Sequence, residues 1–520
     1  MKNQSTKRLV LHFNIDKTIV CRDPYNGLTT IPLTLADSVA RMSWGEMTVD
    51  QDVRKWTLIH EQFSHEAPEE GLISYSDFLD LEMPEKNQLD EGETVDQFHE
   101  HNQQIKEKRN EKLLNFAKPG NPGSKFKSQV EKLNRATYLP KNVREELGLN
   151  DQPDPKKSKK EEKLKNETEG EGDGEGEDQE QEQEEEEEDE PEEEETDEQK
   201  MINLFEDQKY HILPSFFKTL IYLKKSKREF AIVLRGEDEF IKPAVFEFNK
   251  FCIGEHPCFC GRSGTPTIKF DGSKNAKNCI IEENCKANFY RFDTCEKMVF
   301  GSLDLEHMDE INKPEDIDEV FYDQVDNKTR ITANDPVEAY TELMEIFKKF
   351  CAVAIREDKD QHRILYVDPA DYSTQHIFFD AKCGFGDECR ISVQDIISGI
   401  QIPYKESINK YIALVETHRA VSETDYFMKL IEMCEYTRDQ EIENRESGKL
   451  EEIERAFQKN QLLNNKASSV VDSQEEEDDR HEPLNEWEKL QSMPNDQYLV
   501  QTIMPVLYQG LKVVTTERPR

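Results

Sequence analysis

Apolar positions along this chain fall into short strand-like runs and longer helical stripes, set apart by polar stretches. Leu9 to Ile15 is a continuous apolar run, the pattern of a buried strand, and Asp16-Lys17-Thr18 marks its exit. From Pro32 to Glu82 apolar and polar positions mix, with Trp44, Trp56 and Ile73-Ser74-Tyr75 among them, and the segment is expected to be folded. A charged helical piece is predicted around Phe98 to Leu147, an apolar-periodic helix over Tyr210–Lys225, and a short strand over Phe230–Leu234. Ile364–Val367 and His376–Phe379 read as two further strands separated by a polar turn. Tyr404 to Gln461 reads mainly as long helices, with Phe427, Leu430, Ile431 and Cys434 at i, i+3, i+4 and i+7. Strands alternating with helices point to a parallel α/β core.

Composition changes this picture in one place. The chain of 520 residues is 35% hydrophobic and 34% charged, too polar for one continuous core, and its net charge is −42. From Glu167 to Glu198 there are 22 acids in 32 residues and no Lys or Arg, leaving 88 acids against 68 bases elsewhere. Such a block cannot bury enough apolar area to offset its ordering entropy, so residues 150–199 are expected to be disordered. A solvated spacer and a holder of basic proteins are the two readings of this tract. Bulk acidity opposes generic nucleic-acid binding, because phosphates are repelled. With no apolar run of 18 residues and no signal-peptide core, neither a membrane nor a secretory route is expected. An odd count of eleven cysteines points to reduced thiols and a cytoplasmic setting.

The candidate chemistry begins at the end of the first strand. Asn14 and Asp16 alternate onto the same side, at the strand end where open α/β sheets place their sites. The stretch Phe13-Asn14-Ile15-Asp16-Lys17-Thr18 resembles the first motif of the haloacid dehalogenase (HAD) superfamily, an apolar strand followed by Asp-x-Asp-x-Thr. Its closest likeness is to an HAD-like group that writes Phe-Asp-Ile-Asn-Lys-Thr there. Trp44-Gly45, Ile73-Ser74-Tyr75-Ser76-Asp77-Phe78 and Phe248 to Pro257 also resemble that group, over roughly residues 8–80 and 205–435.

This resemblance implies a Rossmannoid parallel sheet with helices on both faces, and it assigns roles by position. Asn14 stands where the nucleophile belongs and Asp16 where the acid/base belongs. A carboxamide is a poor nucleophile and brings Mg²⁺ no negative charge. After Phe230–Leu234 the chain has Arg235-Gly236-Glu237-Asp238, without the Thr-Phe pair of the relatives and their phosphoryl-binding hydroxyl. Arg363 falls at the basic third position, where an ordinary surface arginine is an equal reading. Ile377-Phe378-Phe379-Asp380-Ala381-Lys382 keeps one acid, Asp380, where relatives have two, puts Ala381 at the second and adds a lysine. The expectation is a pseudophosphatase with no competent catalytic residue and no cofactor. Mg²⁺ enters only in the alternative of an active phosphohydrolase.

Two further features remain. Cys252, Cys258, Cys260, Cys279, Cys285 and Cys295 cluster with His256, but their spacing is not that of paired zinc ligands, and buried small hydrophobes are favoured over zinc. Leu499, Ile503, Val506, Leu507, Gly510, Leu511 and Val514 form one helical stripe beyond a second acidic linker. It could fold back on its own domain or dock elsewhere. The segment Gln497 to Leu511, with Tyr498 in it, then Arg518-Pro519, resembles the Dumpy-thirty docking motif. That resemblance implies a helical bundle with a protein partner, a radial-spoke subunit or a complete homologue, in the cilium or axoneme. The chain stops before the motif's second helix.

The expected organisation is therefore an HAD-like core over 1–84 and 200–465. A helical insertion occupies 85–149, acidic linkers 150–199 and 466–486, and a docking helix 487–520.

Overall fold

The computed structural model describes residues 7–51, 53–89, 94–149, 196–205, 207–261, 267–273, 277–291, 296–300, 313, 330–333, 336–357, 363–382, 390–446 and 448. The acidic run from 150 to 195, the 466–486 linker, Cys295 and the 487–520 segment with Tyr498, Leu499, Ile503, Val506, Leu507, Gly510, Leu511 and Val514 lie outside the described residues. Residues up to Thr437 form one compact unit, which holds the sheet and the site described below. No helix among the described residues is long and apolar enough to cross a membrane.

The fold is mixed α/β around an eight-stranded, mostly parallel sheet. Its order is β14 (Ile412–Leu414), β11 (Thr374–Asp380), β1 (Arg8–Asn14), β5 (Phe230–Gly236), β9 (Ala352–Arg356), β6 (Lys286–Arg291), β7 (Glu296–Phe300) and β8 (Arg330–Ala333). The strands run parallel from β14 through β6, and β7 and β8 close the edge antiparallel. β1 is central, and all of it beyond Arg8 is buried, as a run apolar on both faces requires. On one face Phe13 stacks on Phe379 with ring centroids 4.5 Å apart. Phe216 of α7 (Pro214–Lys225) and Phe427 of α12 (Tyr426–Glu446) meet Phe13 edge-on at 4.9 and 5.5 Å. On the other face His12 stacks on Phe378 at 5.8 Å and meets Phe347 of α9 (Pro336–Lys349). Helices thus cover both faces.

Before the second pass of the chain into the sheet, α1 (Ile31–Arg41) packs with α2 (Tyr75–Glu82), α3 (Val95–Asn115) and α4 (Lys127–Ala136). A small antiparallel sheet of β2 (Trp44–Asp50), β3 (Val53–Leu58) and β4 (Ile73–Ser74) lies beside them. The two landmarks Trp44-Gly45 and Ile73-Ser74 are paired neighbours in it. A Cβ at Gly45 would lie 2.3 Å from the Thr57 carbonyl oxygen and 2.5 Å from the Trp56 ring, so the close approach of β2 to β3 requires glycine. Ser74 caps α2 by accepting from the Asp77 N–H at 3.1 Å. Leu113, Phe116, Phe126 and Leu133 join the same apolar cluster as β1, which ties the helices of 85–149 into the main core.

Three expectations need correction and one gains detail. The helix read over Tyr210–Lys225 starts at Pro214, because the residue before a proline is held extended and Leu213 sits at ψ 134°. Residues 196–199, read as the end of a disordered span, are ordered. α6 (Asp197–Leu204) is capped by Thr196 and anchored by buried Met201, with Phe205 buried just beyond it. Ile364–Val367 and His376–Phe379 are strands as expected, but in different sheets: β10 (Arg363–Val367) pairs with β12 (Ile391–Asp395). Tyr404 to Gln461 is not continuous helix either. A short α10 (Tyr404–Ser407) leads into the edge strand β14, then α11 (Thr417–Ser422) and α12.

Candidate functional site

The C-terminal ends of β1, β5, β9 and β11 bring together residues that are remote in sequence. Asn14 registers against Arg235 across β1 and β5, while Phe13 registers against Phe379 across β1 and β11, which sets Asn14 beside Asp380. Past Asn14 the chain winds into a tight loop. The Ile15 carbonyl accepts from both the Ile19 and Val20 N–H groups, and Lys17 takes a left-handed φ of 55°. A Cβ on Gly236 would come within 2.9 Å of the Ile15 side chain, so glycine leaves room for this loop.

The Asn14 carboxamide is engaged. Its Nδ2 donates to Asp380 Oδ1 at 2.8 Å and leans on the Asp16 carbonyl oxygen at 3.4 Å, while Oδ1 is buried without a hydrogen-bond partner. Turning the amide over would set oxygen against the Asp380 carboxylate, so electrostatics holds the nitrogen there. Asp380 Oδ1 also accepts from the Lys382 N–H at 2.8 Å, and Ala381 donates its N–H to Thr18 Oγ1 at 3.1 Å.

Asp16 is 1% exposed, and neither carboxylate oxygen has a hydrogen bond. Its nearest cation is the Lys382 ammonium at 3.6 Å, which lies closer to Asp23 Oδ1, at 2.8 Å. Burial pushes the Asp16 carboxyl up to about 6; Lys382 and Arg363 oppose the shift, while Glu237 and Asp23 add to it. Lys382 itself is held above the usual lysine range, because Asp16 and Asp23 outweigh the effect of its burial.

Arg363, at the start of β10, is 7% exposed, so it is not a surface arginine. Its Nη1 lies 4.0 Å from Asp380 Oδ2 and its Nε 3.4 Å from Glu357 Oε2. Glu357, immediately after β9, is clamped by Arg235 through Nε at 2.9 Å and through Nη2. Arg235 also donates to the Ile364 carbonyl at 3.0 Å and covers the Phe378 ring at 4.8 Å. Asn14, Asp16, Arg363, Asp380 and Ala381 therefore do meet. Asp23, Arg235, Glu357 and Lys382 join them as charged partners without a role in the sequence reading.

The residues present do not fit the Mg²⁺ that the family resemblance implies. That ion demands oxygen ligands at about 2.0–2.1 Å in octahedral array. Here an amide N–H already holds Asp380 Oδ1, and an ammonium stands between Asp16 and Asp23. Two nitrogen donors occupy the space among the candidate oxygens.

At the thiol cluster, His256 is fully buried and engages Glu247 at 3.0 Å through Nε2, while its Nδ1 accepts from the Cys258 N–H. Cys252, Cys279 and Cys285 lie in the apolar core. Among the described residues no group of three or more His, Cys, Asp or Glu side chains is arranged to hold a metal. No family profile, no curated protein and no solved structure matches the chain.

Proposed function

We propose that this chain is a catalytically silent, HAD-like interaction protein that docks through its C-terminal helix into a multiprotein assembly of the ciliary axoneme, such as a radial spoke. One observation carries the catalytic half: the Asn14 amide donates to Asp380 where a carboxylate nucleophile and a cation would have to meet. Lys382 supports the same reading, because its one ammonium stands beside both Asp16 and Asp23, where a metal cation would have to sit. The docking half rests on the resemblance of Gln497–Leu511 to the Dumpy-thirty motif.

A second reading, a Mg²⁺-dependent phosphohydrolase, is favoured only by Asp16. Its carboxyl, pushed up to about 6 and free of hydrogen bonds, lies in the range useful for proton transfer near neutral pH. It lacks a nucleophile to serve.

The docking half is tested by replacing Leu507 with Asp and, separately, by truncating before Trp487. A charge placed on a packed apolar stripe is expected to cost several kcal/mol. Both variants should lose axonemal incorporation while the α/β unit stays folded by circular dichroism. Undiminished incorporation of both would remove the docking half.

A further inference from the structure

The segment that leads into α7 pairs antiparallel with the chain that leaves α4, and three cations gather at that junction. Leu139 N–H donates to the Gln208 carbonyl and Tyr210 N–H to the Thr137 carbonyl, each at 2.9 Å, with Tyr138 opposite Lys209. Arg144, on α5 (Lys141–Glu146), donates from Nη1 to Gln208 Oε1 at 2.8 Å. Arg22, in the loop that leaves β1, reaches Asp207 Oδ2 at 2.7 Å. The Lys209 ammonium lies 5.2 Å and the Arg144 guanidinium 6.0 Å from the centroid of the same Tyr138 ring.

Charge does not balance here. Both oxygens of Asp207 are taken, Oδ1 by the Lys209 backbone N–H at 3.0 Å and Oδ2 by Arg22. Glu247 of α8 (Asp238–Ile253) is committed to the Ile212 N–H at 3.0 Å and to His256. Among the described residues neither the Arg144 guanidinium nor the Lys209 ammonium forms an ion pair. Lys209 is nonetheless only 7% exposed. Burial pushes its ammonium below the ordinary lysine range; Asp207 opposes the shift and Arg22 adds to it. Arg22 Nε, Arg144 Nε and His211 Nε2 are buried without a hydrogen-bond partner. Buried cations and donors left without partners are costly, and an anion set among them would satisfy both needs.

We propose that Arg22, Arg144 and Lys209 form a binding site for an oxyanion of the phosphate class, either free phosphate or a phosphate monoester. Three cations against the single acid Asp207 suit a dianion. A guanidinium offers the paired N–H donors that two phosphate oxygens accept, and an ammonium adds a point charge. The Arg22 side chain leaves the β1 loop toward Asp207, whereas its neighbour Asp23 faces Lys382. The anion site therefore stands apart from the Asn14 constellation, and its occupancy does not depend on whether that constellation is silent. Both ends of the acidic stretch 150–195 are fastened beside it, since Leu147 and Leu149 pack into the same apolar cluster as Met201, Leu204 and Tyr210. Carboxylates of that stretch are the natural competitors for the site, held at high local concentration.

The test is calorimetric titration of the full-length chain, in phosphate-free buffer at low salt, with inorganic phosphate and separately with O-phosphoserine. Saturable binding is expected, and Arg144→Gln or Lys209→Gln should each weaken it about tenfold or more, because each removes a charge-assisted contact. Lys209→Arg should retain binding, which separates loss of the charge from loss of the fold. Tighter binding of phosphoserine than of inorganic phosphate would assign the site to an ester, and the reverse order to the free ion. Binding seen only after removal of 150–195 also supports the site, with the chain's own carboxylates as competitors. No saturable binding of either anion, even with 150–195 removed, would overturn the proposal. So would binding left unchanged by both glutamine variants, because the anion would then lie elsewhere.

Discussion

Asp16 and Asp37 are both buried beside the loop that leaves β1, yet the chain treats them in opposite ways. Asp37, on α1, takes Lys17 Nζ at 2.6 Å and Arg41 Nε at 3.1 Å. Burial pushes its carboxyl up, but Arg41 and Lys17 together outweigh this and hold it at about 2. Asp16 has the same burial, no hydrogen bond and one ammonium at 3.6 Å, and it stands at about 6. Lys17 and Asp16 are adjacent in sequence, but the left-handed turn at Lys17 sends its side chain away to Asp37. One carboxylate is a structural anchor, and the other is left short of partners in a charged site. Burial alone does not set the fate of an acid; the cations that the fold brings to it do.

The largest effect is expected at the anchor. Asp37→Ala strips the buried Lys17 of its partner, and breaking a buried pair from one side costs about 3–5 kcal/mol. Chemical denaturation should show this loss, and a change under about 1 kcal/mol would mean that Asp37 is not the anchor.

Lys382→Ala comes next. It leaves Asp16 and Asp23 facing each other without their shared cation, which should cost on the order of 2–4 kcal/mol at pH 7. The loss should shrink as the pH falls through about 6 and Asp16 takes up a proton. A pH-independent loss would sever Lys382 from Asp16.

The two acids should also tilt the stability curve in opposite directions. An unfolded aspartate ionises near 4. Asp16, raised in the native chain, makes the folded state bind the extra proton, so its contribution to stability is lost as the pH rises from about 4 to about 6. Asp37, lowered, contributes stability above about 4 that is lost as the pH falls toward about 2. Asp16→Asn should therefore raise stability at pH 7 by about 3 kcal/mol, two pKa units at about 1.4 kcal/mol each. It should also flatten the slope between pH 4 and 6, as read from urea midpoints across that range.

The smallest effect is expected from deleting residues 150–195. Their charge gives them no apolar area to bury, so thermal unfolding of the α/β unit should stay within a degree or two, roughly the scale of a few tenths of a kcal/mol. A cooperative loss of structure would show that the tract packs on the body.

Much of the parallel core was legible because its strands are long apolar runs. β1, β5 and β11 stand out by pattern, and Asp380 ends β11 as Asn14 ends β1. β14 was not legible, since Ile412-Ala413-Leu414 is too short for any period and sits among helical neighbours. Within the site, Asn14, Asp16, Arg363 and Asp380 were found by motif position, whereas Asp23 and Glu357 were not. Asp23 lies before a proline in what reads as a turn, and Glu357 follows a five-residue strand that merges into charged sequence. Their roles come from pairing across hundreds of residues, which local pattern does not encode. Ala352-Val353-Ala354-Ile355 is an apolar run that could have flagged β9, and Glu357 with it.

The central claim is that the Asn14 amide and the Lys382 ammonium close this site to metal-assisted phosphoryl chemistry. The most direct measurement is hydrolysis of a simple aryl phosphomonoester by the purified full-length chain with millimolar Mg²⁺, beside its Asp16→Ala and Asn14→Asp variants. The account predicts no turnover above background for the natural chain and little gain from Asn14→Asp, because Lys382 still stands between Asp16 and Asp23 and the second-motif hydroxyl is missing. Robust Mg²⁺-dependent turnover by the natural chain, abolished by Asp16→Ala, would contradict it.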